Sequence, residues 1–216
     1  MIKLIKNILS SNNNFLSLSM GTDSVAAFHF LLAKGYKFTP VHFNHNLRDQ
    51  NHIMEAKFFE LCEKFNLKGK AGRREFNQEI CVTEKDCREA RLNFYSSLEG
   101  NIITAHHLND WVESYLLNCL RGKPNHTPFE LISNFPKFKI FHPFLLSRKE
   151  DFVQYVSRNG LKEFVVEDET NFIIKGSRRN WIRNKLIPDM KEQKLSLEKY
   201  AIRKIKEELD KQVKGK

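Results

Sequence analysis

The sequence predicts an α/β protein with a doubly wound parallel sheet and a short basic helical extension at the C-terminal end. Three observations carry this. Short apolar runs of strand length alternate with segments of helical periodicity, the pattern of a parallel sheet covered by helices on both faces. The first run, Phe15 to Ser19, passes into the small and polar stretch Ser19-Met20-Gly21-Thr22-Asp23-Ser24 before an apolar helix, a turn chemistry suited to a ligand. The composition is that of a globular chain, with 216 residues, 41% hydrophobic and 29% charged, enough for one sizeable domain and a small extension.

The elements follow in order. Phe15 to Ser19 reads as a buried strand and Asp23 to Ala33 as a helix closed by Gly35. Phe38 to Phe43 is a second strand, and Ile53 to Phe65 has helical spacing. A weak strand near Leu67 to Ala71 leads through a loop to a helix from Glu84 to Leu98. Gly100 turns the chain into a short strand ending at Ala105, and Leu108 to Leu120 is strongly helical until Gly122 and Pro124 stop it. Pro124, Pro128, Pro136 and Pro143 then punctuate a loop-rich stretch holding a short strand at Phe138 to Phe141. A helix at Arg148 to Arg158 and an extended Phe164-Val165-Val166 come next. Phe172 to Ile187 has no acidic residue but carries Lys175, Arg178, Arg179, Arg183 and Lys185. From Lys191 the tail reads as a basic amphipathic helix packing on the domain through Leu195, Ile202, Ile205 and Leu209. The expected division is a domain over 1–188 and the basic helix over 189–216, with no internal repeat and no flexible linker. Ligands of such sheets sit at the carboxyl ends of the strands, so Ser19 to Ser24, Asn44 to Arg48 and Ala105 to Asp110 should share one rim.

Lys and Arg total 36 against 26 Asp and Glu, a net charge of +10. That excess points to an anionic partner, nucleic acid first and a membrane surface second. Cys62, Cys81, Cys87 and Cys119 contain no Cys-x-x-Cys pair, which argues against a zinc ribbon, an iron–sulfur site or a disulfide framework. The start, Met1-Ile2-Lys3-Leu4-Ile5-Lys6, does not fit a signal peptide, and no apolar run approaches the ~20 residues that span a bilayer. The expectation is a soluble cytoplasmic protein without a membrane partner.

His106, Asp110 and Glu113 are spaced four and three apart, so they share one face near a helix N-terminus. Two carboxylates across the rim from a phosphate loop are natural Mg²⁺ ligands, because Mg²⁺ shares oxygen ligands with phosphates. The alternative is a solvated face whose acids are favoured by the helix dipole. Arg88 and Arg91, three apart on the preceding helix, suit a phosphate or an RNA backbone; ordinary surface arginines are the rival reading. The turn Ser19 to Ser24 matches neither the nucleotide loop that places Lys before Ser or Thr nor the three-glycine dinucleotide fingerprint.

The ordered series is more specific than any member. Ser19-x-Gly21-x-Asp23-Ser24, His42-x-Asn44-His45-x-Leu47-Arg48, Arg88 with Arg91, Ala105-His106-His107-x-x-Asp110-x-x-Glu113-Ser114, Leu120-Arg121-Gly122, His142-Pro143-Phe144-Leu145-Leu146, Glu167-Asp168-Glu169-Thr170-Asn171 and Arg179-Asn180-Trp181-Ile182-Arg183 with Pro188 resemble the PP-loop ATP pyrophosphatases. Within them the series is most similar to the tRNA(Ile)-lysidine synthases, over about residues 15 to 188. The resemblance implies an adenine-nucleotide alpha hydrolase-like fold and an ATP-dependent carbon–nitrogen ligase that forms AMP and pyrophosphate. Its cofactors are ATP and Mg²⁺. The wobble cytidine of tRNA(Ile) with a CAU anticodon is adenylated at its C2 oxygen, and free L-lysine displaces AMP to give lysidine.

Carried over, Ser19, Met20, Gly21, Thr22, Asp23 and Ser24 form the ATP-binding loop; Asp23, Asp110 and Glu113 are the metal-associated acids; and Asp23, Arg88, His106, Asp110 and Glu113 are the catalytic set. Arg91, Lys175, Arg178, Arg179 and Arg183 are expected on RNA. Met20 stands where the family has a glycine, Asn109 where it has an aspartate, and Lys123 to Pro128 replaces a Gly-rich segment. If position 20 needs positive φ, the methionine costs on the order of 1 kcal/mol. Family members carry further C-terminal domains for tRNA, so a homodimer or a partner protein replacing them is expected. The alternatives are another PP-loop tRNA modifier, a thiolase, and a degenerate PP-loop module that binds RNA without turnover.

Overall fold

The computed structural model describes residues 1–9, 13–75, 83–167 and 177–214. Six strands form one sheet in the order β3-β2-β1-β4-β6-β5. The chain runs β1 (Asn14–Ser17), α1 (Thr22–Ala33), β2 (Thr39–Asn44), α2 (Asp49–Lys64), β3 (Lys70–Arg73), α3 (Glu84–Ser96), β4 (Asn101–Ile103) and α4 (Leu108–Leu120). It continues through β5 (Ile132–Asn134), β6 (Lys139–Phe141), α5 (Lys149–Arg158), α6 (Arg178–Trp181), α7 (Ile187–Glu192) and α8 (Glu198–Lys214). All pairings are parallel except β5 with β6. From β1 the chain winds outward to β2 and β3, then returns past β1 to β4. The carboxyl end of β1 is therefore a topological switch point, where two neighbouring crossovers leave in opposite directions and open a crevice.

Apolar side chains on the two sheet faces fix this layering. On one face Leu16, Leu18, Phe28, Leu31, Phe58, Phe144 and Phe152 bury α1, α2 and α5 against the sheet. On the other, Phe15, Val41, Tyr95, Ile102 and Ile140 hold α3. A third cluster joins α4 and α8 through Trp111, Val112, Leu131, Leu145, Ala201 and Ile205.

The predicted elements are all present, with four differences. A strand not expected from sequence, β5, forms a hairpin with β6; Phe135 N–H donates to Phe138 O (2.9 Å) and the two rings stack at 4.7 Å, making the sheet mixed at one edge. Helix α2 starts at Asp49 rather than Ile53, because Asn51 Oδ1 accepts from the backbone N–H groups of Leu47 (3.1 Å) and Arg48 (3.2 Å) and turns the polar stretch into a first helical turn. Of the expected extended Phe164-Val165-Val166, Phe164 closes a 3-10 turn begun at Lys162, while Val165 is extended. The tail is not one helix from Lys191: α7 ends at Glu192, Lys194 takes φ +57°, and α8 begins at Glu198. Pro188 thus lies inside helical structure that spans the expected 188/189 boundary. Helix α8 packs on α4, with Ala201 and Ile205 fully buried. No helix among the described residues is long and apolar enough to cross a membrane.

Candidate active site

The switch point is occupied by Ser19 to Ser24. Met20 has φ +61°, the left-handed conformation in which glycine is strain-free, and its side chain is fully buried in the main core. The turn thus takes the positive φ at which the methionine is costly, and the side chain turns inward, away from the ligand side, where burial offsets the strain. The Met20 carbonyl accepts from Val166 N–H at 2.9 Å, fixing the loop to the segment after α5. Gly21 begins α1 with no side-chain cap on the helix amides, and a Cβ there would meet only Ser19 Oγ at 3.5 Å. The α1 N-terminus is therefore left as a cradle of unshielded N–H groups, its positive dipole end facing out. Ser24 Oγ donates to Gly21 O (2.9 Å), and Ser19 Oγ lies 3.3 Å from Ser24 Oγ.

Opposite the cradle, α4 begins at the buried His107. Its Nε2 is 3.6 Å from Asp23 Oδ2 and its Nδ1 is 3.3 Å from Asp110 Oδ2, so one imidazole stands between two carboxylates from different helices. Burial alone would lower the His107 pKa, but Asp110 and Asp23 raise it above the ordinary value. The converse holds for the acids. Burial pushes Asp110 up, yet the charges of His107 and His106, the His107 backbone N–H and Arg179 bring it down to about 2. Burial of Asp23 is likewise outweighed by His107 and Lys149, which hold its carboxyl below the usual range. Both carboxylates stay ionised at neutral pH.

Each acid is also matched to a cation. Lys149 Nζ donates to both Asp23 oxygens at 2.8 Å. Glu113, buried at 3% exposure, accepts from Arg183 Nε (2.8 Å) and Nη2 (2.7 Å) and from Arg179 Nε (3.3 Å). Asp110 Oδ1 lies 3.6 Å from Arg183 Nη2 and 3.7 Å from Arg179 Nη2. Arg179 and Arg183, expected on RNA, pair here with acids inside the site, and Glu113, expected beside the metal, accepts from both arginines. Arg183 belongs to a widened π turn, Ile182–Leu186, between α6 and α7. Pro188 lacks the N–H that a regular helix needs at that point, and α6 and the widened turn both pack on α4.

Asp23 and Asp110, which His107 spans, are a donor pair that fits Mg²⁺. Among the described residues no group of three or more His, Cys, Asp or Glu side chains forms an all-protein metal cage. Mg²⁺ needs none, since it takes one or two carboxylates together with phosphates and water. The uncapped α1 N-terminus beside Asp23 is where such phosphates have room.

Two clefts meet at the loop. One, of about 770 Å³, runs past Ser19, Gly21 and Thr22 toward His42 and Phe43 of β2, Leu47 after it and Met54 of α2. The other, of about 640 Å³, is lined by Arg88, His106, Thr104, Phe129 and His142, and Ser19, Asp23, Arg91 and Asp110 border both. The structure thus brings Ser19, Gly21, Asp23, Arg88, Arg91, His106 and Asp110 to one rim. Arg178 is exposed on α6, apart from the clefts' lining, and Lys175 lies outside the described residues, as do Asp168 to Asn171. Asn109 serves as a cap on α5, its Oδ1 accepting from Lys149 N–H at 3.0 Å, so an acceptor oxygen suffices there without a charge. Sequence reasoning missed His107, Lys149, Thr104 and His142 as site residues. His107 and His142 were visible within quoted motifs; Thr104 and Lys149 join the site only through the fold.

Residues 1–190 match the family model of the PP-loop domain. A tRNA(Ile)-lysidine synthase of Staphylococcus aureus (strain MW2) is 30% identical over 194 residues, covering 82% of this chain and 44% of that protein. The tRNA(Ile)-lysidine synthase of Buchnera aphidicola subsp. Schizaphis graminum is 29% identical over 208 residues, covering 89% and 45%. The chain spans somewhat less than half the length of these relatives. Among solved structures, the U34-tRNA thiolase NcsA from Methanococcus maripaludis superposes with a TM-score of 0.71 at 13% identity over 96% of this chain and 75% of that one, a likeness of fold.

Proposed function

The chain belongs to the PP-loop domain family, and on that premise we propose that it modifies the wobble cytidine of a CAU-anticodon isoleucine tRNA, using ATP and free L-lysine to form lysidine. The observation that carries this reading is the uncapped α1 N-terminus at the switch point, faced by Asp23 and Asp110, which His107 keeps ionised. In this scheme the helix amides with Ser19 and Ser24 receive the β,γ-diphosphate of ATP, and the apolar end of the larger cleft takes the adenine. Asp23 and Asp110 would hold Mg²⁺, which when bound neutralises charge on the departing pyrophosphate.

The cytidine C2 oxygen attacks the α-phosphorus, and the bond to the pyrophosphate oxygen breaks. The lysine amine then adds at C2, the C2–O bond breaks, and AMP leaves with that oxygen. Lys149, which neutralises Asp23, stands where it can transfer its charge to a phosphate once that acid takes the metal. Arg179 and Arg183, braced on Glu113, hold positive charge beside the reacting phosphates. Arg88 and Arg91 border the second cleft and suit the tRNA backbone around the target base. A homodimer or partner protein supplying further tRNA contacts belongs to the same proposal.

The test is mass spectrometry of nucleosides from a CAU-anticodon tRNA incubated with the protein, ATP, Mg²⁺ and lysine. Lysidine should appear with equal amounts of pyrophosphate and AMP, and Asp23→Asn or Asp110→Asn should abolish all three products. A thiolated cytidine or an unmodified tRNA would sink the proposal.

A further inference from the structure

At the base of the second cleft two histidines meet on one hydroxyl. Thr104 Oγ1 is 2.6 Å from His142 Nδ1 and 3.0 Å from His106 Nδ1, and the two Nδ1 atoms are 3.1 Å apart. Burial is the main cause holding both imidazoles neutral: it pushes His106 down to about 4, against the pull of Asp110, and His142 well below its ordinary value. Neutral rings carry one proton each, so the triangle admits two orderings. The distances choose between them. A separation of 2.6 Å is short for an N–H donor, whose range begins near ~2.7 Å, and fits a hydroxyl donor. The hydroxyl's other acceptor, Phe141 O, is at the longer 3.4 Å; the shorter contact assigns the Thr104 proton to His142 Nδ1, which is then bare, leaving the proton of that ring on Nε2. The Thr104 oxygen is then free to accept from His106 Nδ1–H, and the 3.1 Å contact from the same N–H also finds a bare nitrogen. Each contact pairs one donor with one acceptor.

The consequence is a fixed pattern at the cleft. His106 presents a bare Nε2, an acceptor, and His142 presents Nε2–H, a donor; among the described residues neither Nε2 has a hydrogen-bond partner, and neither is a buried orphan. The His106 ring stacks on Phe129 with centroids 4.7 Å apart and planes at 29°, which adds an aromatic wall. Arg88 and Arg91 line the same cleft. We infer that this cleft reads the Watson–Crick edge of the target pyrimidine, His106 Nε2 accepting from the exocyclic amine of cytosine and His142 Nε2–H donating to its N3. Uracil presents an acceptor where cytosine has the amine and an N–H where cytosine has a lone pair, so both contacts would oppose it. Thr104 and His142 act as positioning and specificity residues that set which nitrogen of His106 is bare. This inference rests on the cytidine substrate proposed above.

Adenine carries the same donor–acceptor edge, so the test separates the two bases. The first measurement is long-range ¹⁵N–¹H correlation of the imidazoles in the whole protein at neutral pH, which needs no substrate. His106 should be protonated at Nδ1 and His142 at Nε2, and the reverse assignment overturns the inference. The second compares binding of anticodon stem-loop RNAs with C or U at the wobble position. Wild type should favour C by about tenfold or more, and Thr104→Val should bring the ratio to within about twofold. A preserved C-over-U ratio in Thr104→Val overturns the inference. So does a shift in its ATP-over-ITP preference with the RNA ratio unchanged, which would give the cleft to the nucleotide. If Thr104→Val does not fold, the wild-type tautomers and the wild-type C-over-U ratio still decide. Absence of lysidine alongside the expected tautomers and base preference would sink the proposed reaction while leaving the base reader intact.

Discussion

Met20 shows how one backbone angle and one side chain settle a position that sequence left undecided. The turn into α1 needs φ near +61° at this residue. A non-glycine residue there costs roughly 1–2 kcal/mol, while burying a methionine side chain contributes about 1.5–3 kcal/mol. The two nearly balance, so methionine is tolerated. Replacing Met20 by Ala keeps the strain and removes the burial, and should cost about 2–5 kcal/mol. Met20→Gly loses the same burial but relieves the angle, and should cost about 1 kcal/mol less than Met20→Ala. Urea denaturation of the three proteins would check the order Met, Gly, Ala; an alanine variant as stable as the glycine one would remove the strain argument.

At the scale of the element, the start of α4 is held by charge. Asp110 sits at about 2 in the folded protein against 3.8 for an unperturbed aspartate. Its contribution is therefore present above pH ~4 and lost as pH falls toward 2; Asp23, also lowered, acts in the same direction. His107 has the opposite sign: raised above 6.5, it contributes fully below that value and fades as pH rises through its folded pKa. Between about pH 4 and 6.5 the buried His106 and His142, both lowered, make stability rise with pH, because the unfolded imidazoles bind protons that the folded ones do not; the Asp110 and His107 contributions are read as the difference between wild type and variant over this background. Asp110→Asn should remove about 2 kcal/mol of the difference between pH 6 and pH 2, and should flatten the alkaline limb because His107 loses a partner. Chemical denaturation across pH would show it, and identical acid limbs in the two proteins would refute it. The helix itself was legible from Leu108 to Leu120, to the residue. Its role as the arm carrying His107 between two carboxylates was not, because Asp23 comes from another helix.

For the whole molecule, the excess of +10 divides into two classes that composition merges. Arg179 and Arg183 are spent internally on Glu113 and Asp110, whereas Arg178 and Arg88 are exposed. If Arg178 meets a phosphate, Arg178→Gln should lower the magnitude of the salt slope of RNA binding by about 0.7–0.9. Arg183→Gln should instead leave that slope unchanged and reduce pyrophosphate release, since it uncovers Glu113 inside the site. Titrating RNA binding against salt for both variants separates the classes. A reduced slope in Arg183→Gln, or none in Arg178→Gln, would return the arginines to one interchangeable patch.

The sequence by itself determined the strand–helix alternation, the rim to which Ser19 to Ser24 and Ala105 to Asp110 belong, and the family. These are local quantities, written in the periodicity of apolar residues and in the small residues of one turn. Only the tertiary structure decided which charges cancel and which remain for a ligand. Asp23 with Lys149, Glu113 with Arg179 and Arg183, and Thr104 with His142 lie 126, 66, 70 and 38 residues apart. A side chain's protonation, and whether it is spent or available, follow from what surrounds it within a few ångströms. Only folding brings those neighbours together.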